Sequence, residues 1–142
     1  MCLTFEQLQH KDIPAMKEII EDEPGAFDPE WVKAFLAEKQ NYAFTAKLDD
    51  VPIGLIYGYS LTCIEVSKPQ FFIYSVDIIE AEQNKGYGSR FIKYVLDWAK
   101  ANGFSETFVF TNKDNPRACK AYENAGMAHS DSDCERMYEI KY

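Results

Sequence analysis

The chain has only two histidines and four cysteines among its 142 residues. The cysteines (Cys2, Cys63, Cys119 and Cys134) show no spacing suited to zinc, so no metal site is expected. We interpret them as reduced, mostly buried thiols. No apolar run approaches the ~20 residues of a membrane span, and the first residues lack the features of a signal peptide. These absences predict a cytoplasmic protein without a membrane partner.

Positive charge is also scarce, with 15 basic against 23 acidic residues and a net charge of −8. Residues 1–50 alone carry 11 acidic and 5 basic side chains, a net charge of −6. An acidic surface repels nucleic acid and can attract a cationic partner. Ordinary solubility explains most of these charges equally well. We therefore expect no nucleic-acid partner.

The length and a hydrophobic content of 46% predict one packed domain over residues 1–142. Residue periodicity and turn signals predict four helices and up to seven strands, the last two of them weaker. The helices are predicted near 11–22, 29–40, 89–101 and 116–126, and the strands near 2–8, 42–48, 53–64, 71–79, 104–111, 127–130 and 135–142. This order is typical of an α/β or α+β domain with a single mixed sheet of about six or seven strands.

The turn Gln83-Asn84-Lys85-Gly86-Tyr87-Gly88 joins a predicted central strand to a predicted helix. The first amides of a helix have no intrahelical partner, and the helix dipole favours negative charge beside them. Glycine is needed where a side chain would block an anion or where φ must be positive. Lys85 and Arg90 add positive charge beside the turn. The turn therefore predicts a pyrophosphate site, with a simple tight turn as the alternative.

A second pattern follows one helix and one strand later, where Asn115, Ala118, Tyr122 and Gly126 stand at offsets 0, 3, 7 and 11. The spacing places Ala118 and Tyr122 on one face of a helix that Asn115 caps. The two patterns together resemble those of the Gcn5-related N-acetyltransferases (GNAT), Arg/Gln-x-x-Gly-x-Gly/Ala followed by Asn-x-x-Ala-x-x-x-Tyr-x-x-x-Gly. The resemblance covers about residues 70–127. A looser resemblance, over residues 58–78 and the acidic tail, is to the aminoglycoside 3-N-acetyltransferase branch.

The resemblance implies a GNAT-like, mostly antiparallel sheet and acetyl-CoA as co-substrate, without a metal. Acetyl-CoA would lie along the fourth strand, at a splay or bulge beside the fifth, with its pantetheine arm against the strand's backbone. The amides of the glycine turn would bind its pyrophosphate. The cofactor-binding set that this implies is Val76, Asp77, Ile78, Gln83, Asn84, Lys85, Gly86, Tyr87, Gly88, Ser89 and Asn115.

The resemblance also implies direct attack of an amine on the thioester in a ternary complex. Tyr122 would protonate the departing thiolate, although a buried core tyrosine is the simpler alternative. A backbone N–H near Ile78 would polarise the thioester carbonyl. Asp77 is the candidate general base, because it is the only charge in the apolar strand and burial would raise its pKa. Glu65 is a second candidate, and Ser75 stands where the aminoglycoside branch commonly has an acid.

The expected acceptor is a small cationic amine, aminoglycoside-like or polyamine-like. Five acids around the first helical loop favour a polycation: Glu21, Asp22, Glu23, Asp28 and Glu30. A peptide or protein amine is the alternative acceptor, and a CoA-binding regulatory domain without turnover is the alternative class. A homodimer is compatible with the sequence, which does not define the oligomeric state.

Overall fold

A computed structural model describes residues 1–20, 25–129 and 137–142. Its centre is a five-stranded sheet in which the strands follow one another in chain order. The first four strands pair antiparallel, and the fifth lies parallel to the fourth. This mixed, mostly antiparallel sheet confirms the predicted fold class. The strands are β1 (Leu3–Gln7), β2 (Asn41–Leu48), β3 (Val51–Leu61), β4 (Gln70–Ile78) and β5 (Thr107–Val109).

Four α-helices flank the sheet, as predicted. They are α1 (Lys17–Ile20), α2 (Pro29–Ala37), α3 (Tyr87–Ala101) and α4 (Pro116–Asn124). Short 3-10 helices precede α1 and α3, over His10–Met16 and Glu80–Glu82. In the described part of the chain, no helix is both long and apolar enough to cross a bilayer.

Three elements differ from the sequence-based predictions. The first helix begins as a 3-10 helix that contains Pro14, whose missing N–H removes one α-helical hydrogen bond, and residues 21 and 22 lie outside the described ranges. Strand β5 is shorter than predicted and pairs with β4 only over Phe71–Ile73. Residues 127–129 and 137–142 form no strand, and residues 130–136 lie outside the described ranges, so the described sheet has five strands rather than six or seven.

Both faces of the sheet are covered, as the apolar β4 sequence predicts. One face carries the larger core, in which Phe44 and Phe71 pack with Phe91 of α3. The other face carries a smaller core of Leu8, Met16, Ala43 and Leu55, against which side chains of α1 and α2 pack. Successive residues of a strand point to opposite faces, so a single strand supplies both cores.

Strand β4 contains one extra residue relative to β3. The register passes from Tyr57 opposite Ser75 to Gly58 opposite Ile73, which leaves Tyr74 as the bulged residue. Glycine is required at position 58 because a Cβ there would lie 2.2 Å from a backbone carbonyl oxygen of β4. The bulge therefore rests on a close approach of the two strands that only glycine permits.

The bulge decides which way the end of β4 points. In an unbroken strand, Ser75 and Asp77 would share the core face of Ile73. Instead, Ser75 and Asp77 face the side of α1 and α2, whereas Val76 and Ile78 pack on the side of α3. The extra residue thus moves a carboxylate out of the apolar core.

A buried ion pair connects the first 3-10 helix to the sheet. Lys47 of β2 is only 8% exposed, and its Nζ lies 2.9 Å from Asp12 Oδ1 and 2.5 Å from Glu6 Oε1. The hydrogen bond that Lys47 donates to Glu6, followed by the one that it donates to Asp12, raises the pKa of Lys47 above its ordinary value. Removing one member of such a pair leaves a buried charge uncompensated, at a cost of about 3–5 kcal/mol.

We expect the fold to lose stability at alkaline pH. The raised pKa of Lys47 contributes stability that is fully present below about pH 10 and is lost as pH rises further. Burial also raises the pKa of Tyr57, Tyr94 and Tyr122, which changes stability in the same direction. The thermal unfolding midpoint should fall as pH rises from about 9 to about 11, and less steeply in Lys47→Met. A midpoint that is constant over this range would contradict the assignment.

Candidate active site

A cleft of about 590 Å³ opens between the end of β4, the start of α3 and one face of α4. Strand β5 ends at Val109, opposite Ile73, and β4 continues to Ile78 with this edge unpaired by β5 beside the cleft. Ten of the sequence-predicted site residues line this cleft: Val76, Ile78, Gln83, Asn84, Gly86, Tyr87, Gly88, Ser89, Asn115 and Tyr122.

The start of α3 has the geometry of an anion site. Gly86 caps the helix at φ +80°, a left-handed conformation that disfavours any residue with a Cβ. The amides of the first turn have no partner within the helix, and that turn contains no acidic side chain. A Cβ at Gly88 would meet no atom within 4 Å, so packing does not require glycine there. Its missing side chain instead leaves space in the cleft beside the amides.

Gln83 connects two walls of the cleft. Its Nε2 donates to the Ile78 carbonyl oxygen at 2.8 Å, and its Oε1 accepts from Arg117 Nη1 at 2.5 Å. The glutamine therefore holds the end of β4 and the first turn of α4 at a fixed separation through its side chain. The sequence pattern predicts Gln83 as a cofactor-site residue but does not predict its hydrogen bonds to Ile78 and Arg117.

The cations that line the cleft come from α4 and are not among the residues predicted from the sequence. Arg117 and Lys120 line the cleft, one helical turn apart. Lys85 instead pairs with Glu82 at 2.9 Å, and neither Lys85 nor Arg90 belongs to the lining. Arg117 and Lys120 lie outside the helix face of the pattern residues Ala118 and Tyr122, so helical spacing alone does not indicate them. The positive charge of the cleft suits phosphate groups.

Tyr122 projects from α4 into the same cleft. Helix α4 begins where Asn115 Oδ1 accepts from the Ala118 amide at 3.1 Å, with Pro116 in the first turn. Burial, then the negative charge of Asp77, then Cys119 raise the pKa of the Tyr122 phenol above its ordinary value. The phenol therefore keeps its proton throughout the physiological pH range and can donate it.

Asp77 lies on the other side of β4, in a second cavity of about 340 Å³ that we call the aromatic cavity. The Ser75 hydroxyl donates to Asp77 Oδ2 at 2.7 Å, and the carboxylate is half-buried. Glu65 is exposed and lines neither cavity. The lining of the aromatic cavity consists of Leu8, Ile19, Ile20, Trp31, Val32, Phe35, Ala43, Leu55, Tyr57, Tyr59, Ser75 and Asp77.

The cysteines differ from the prediction of mostly buried thiols. Cys2 is exposed, Cys63 and Cys119 are intermediate, and all three are free, while Cys134 lies outside the described residues. Among the described residues, no group of three or more histidine, cysteine, aspartate or glutamate side chains could hold a metal ion.

The sequence model of the acetyltransferase (GNAT) family matches residues 13–127. The chain therefore belongs to the GNAT acetyltransferase family, as the two glycine-bearing patterns indicate. The matched span contains the start of α3, the end of β4 and all of α4, which together form the cleft.

Solved structures share the fold at low sequence identity. An aminoglycoside acetyltransferase, meta-AAC0020, from an uncultured soil metagenomic sample in complex with sisomicin has a TM-score of 0.83 and 22% identity, over 98% of this chain and 97% of that one. The aminoglycoside N-acetyltransferase AAC(6')-Iy in complex with CoA has a TM-score of 0.77 and 17% identity, over 99% and 95%. A ribosomal-protein-alanine N-acetyltransferase from Brucella melitensis biovar Abortus 2308 has a TM-score of 0.79 and 16% identity, over 99% of this chain and 100% of that one.

Proposed function

We propose that this protein is an acetyl-CoA-dependent N-acetyltransferase acting on a primary amine of a small molecule. One observation carries the proposal: the two cavities lie on opposite sides of the same short stretch of β4. Val76 and Ile78 line the cleft with Tyr122, while Asp77 between them lines the aromatic cavity. A donor in the cleft and an acceptor in the aromatic cavity would approach each other past the edge of β4 that β5 leaves unpaired, as a ternary-complex reaction requires.

The residues of the cleft fit acetyl-CoA in three respects. The first-turn amides of α3 and the open space at Gly88 suit a pyrophosphate. Arg117 and Lys120 supply positive charge for phosphate oxygens. The unpaired edge of β4 at Val76 to Ile78 offers backbone groups to an amide-bearing arm. The family match to a CoA-dependent fold and a CoA complex of a structural neighbour support the same assignment.

When bound, acetyl-CoA supplies an activated thioester. Transfer of its acetyl group to a neutral amine forms an amide and releases the CoA thiol. Tyr122 would donate the proton that the departing sulfur requires, since its raised pKa keeps the phenol protonated, and the proton that the nitrogen loses after its attack would restore the phenol. Asp77 would accept the proton that the ammonium must lose before attack, with Ser75 holding the carboxylate in position. A backbone N–H near Ile78 would stabilise the developing oxyanion.

The acceptor that we propose carries an ammonium group, as aminoglycosides and polyamines do. Structural neighbours that are aminoglycoside acetyltransferases support this class at the level of the fold. The acids of the first helical loop give less support. Asp28 accepts from the Glu30 amide as the cap of α2, Glu30 pairs with Lys33, and residues 21–23 lie outside the described ranges. Asp77 is therefore the carboxylate on which the proposal rests.

The test is release of CoA thiol from acetyl-CoA at saturating amine, with wild type and Asp77→Asn. For an amine of ordinary pKa near 10.4, the substitution should lower kcat by about 100-fold, because the base is lost. For an amine with a pKa near 7, the deficit should shrink to a few fold, because the amine deprotonates itself.

Ser75→Ala serves as the matched control, since it removes the hydrogen bond and keeps the carboxylate. It should cost less than about tenfold with either amine. Equal losses for both amines in Asp77→Asn would exclude Asp77 as the base. No thiol release with any amine, despite tight CoA binding, would favour a non-catalytic CoA-binding domain.

A further inference from the structure

We propose that the aromatic cavity selects amines with a single ammonium on an apolar or aromatic body, such as aralkylamines, over polycations. This inference rests on the proposed function, because it names the acceptor class of the same site. It replaces the expectation of a polycation with a narrower class. Three properties of the cavity favour this class: its charge, its ring arrangement and its size.

The described lining of the cavity offers one negative charge. Asp77 is the only ionisable carboxylate among its described lining residues, which are otherwise apolar, aromatic or hydroxyl-bearing. Burial raises the pKa of Tyr57 and of Tyr59, so both phenols stay neutral near pH 7 and add no negative charge. One ammonium can pair with Asp77. A second ammonium in the cavity would lose water and find no second carboxylate among the described lining residues, which disfavours its binding.

Four aromatic side chains form part of the wall, beside aliphatic ones. Phe35 meets Tyr57 edge-on at 5.4 Å and Tyr59 at 5.8 Å between centroids, and Tyr74 stacks on Tyr57 from outside at 5.5 Å. Trp31 adds an indole that lines the cavity yet is 76% exposed, so it stands at the mouth. Such faces attract one cation and hold an apolar or aromatic group by contact area.

The volume limits the body of the amine. At about 340 Å³, the cavity is near the lower end of the range for small-molecule sites. A single ring with a short aminoalkyl arm suits this space, with the ammonium at Asp77 and the ring among Phe35, Tyr57 and Tyr59. Charge, ring geometry and size therefore favour the same class of acceptor.

The test compares hexylamine with 1,5-diaminopentane, two chains of equal length that differ by one terminal ammonium. Wild type should show a kcat/KM at least about tenfold higher for hexylamine, and 2-phenylethylamine should equal or exceed hexylamine. Tyr59→Leu and Trp31→Ala should each lower kcat/KM for 2-phenylethylamine about tenfold, with a smaller effect on the diamine. Phe110→Leu is the control, because Phe110 is exposed and lines neither cavity.

Calorimetric binding of the same three amines, with CoA present, separates this inference from the proposed function. The same affinity order without acetyl transfer would support the cavity assignment and contradict the catalytic one. Acetyl transfer with the diamine or an aminoglycoside preferred would support the activity and overturn the inference. Equal losses of kcat/KM for 2-phenylethylamine and 1,5-diaminopentane in Tyr59→Leu and Trp31→Ala would also overturn the inference.

Discussion

Replacing Tyr122 with phenylalanine is expected to lower kcat for acetyl transfer by about 10²–10³-fold, with the Kd for acetyl-CoA changed by less than about twofold. The substitution removes one hydroxyl and keeps the ring that packs beside the core. If the phenol protonates the departing sulfur, its loss affects the transition state and not cofactor binding. Steady-state kinetics and calorimetry with acetyl-CoA measure the two quantities separately.

Tyr94→Phe is the matched control, since Tyr94 is another half-buried tyrosine of raised pKa that lines neither cavity. It should leave kcat unchanged. The wild-type rate should also persist to about pH 10 before its alkaline fall, because the pKa of Tyr122 lies above the ordinary value of about 10. Equal kcat values for wild type and Tyr122→Phe would remove the proton-donor role.

Replacing Gly88 with aspartate is expected to weaken acetyl-CoA binding by about 100-fold or more while the fold becomes slightly more stable. A carboxylate in the first turn of α3 interacts favourably with the helix dipole, a gain of about 0.3–1 kcal/mol. The same charge would repel a pyrophosphate and compete for the first-turn amides. Calorimetry with acetyl-CoA and thermal unfolding without it should therefore change in opposite directions.

Gly88→Ala tests space without charge and should weaken binding far less than Gly88→Asp, because a methyl group takes part of the open space but brings no negative charge. Gly103→Ala is a second control, which strains the backbone at a distance from the cleft. Gly103 follows the C-terminal end of α3, and its φ of +83° is a left-handed conformation like that of Gly86. Unaltered acetyl-CoA affinity in Gly88→Asp would mean that the pyrophosphate lies elsewhere.

Local signals in the sequence were sufficient for most of the cleft. Gly86 and Gly88 lie where a strand passes into α3, and Asn115 and Pro116 mark the start of α4. Short-range signals therefore specify where both helices begin. The spacing from Asn115 to Tyr122 places the tyrosine on the face that lines the cleft. Arg117 and Lys120 stand two and five residues after Asn115, away from the helix face of Ala118 and Tyr122, so the same spacing does not identify the cations.

The position of Asp77 could not be derived in the same way. Its direction depends on the bulge at Tyr74, which arises from the pairing of β4 with β3 and from the space at Gly58. The register between two paired strands cannot be read from the sequence of either strand alone. The same reason applies to the aromatic cavity, whose rings come from α2, β3 and β4 and meet only after the sheet has formed.

The most direct test of the central claim is mass spectrometry of amines after incubation with wild-type protein and acetyl-CoA that carries an isotopic label in the acetyl group. The account predicts a labelled N-acetyl amide of 2-phenylethylamine, formed in equal amount to the released CoA and strongly reduced with Tyr122→Phe. Acetyl-CoA that binds tightly, yet leaves monoamines, diamines, an aminoglycoside and a peptide all unlabelled, would contradict the account.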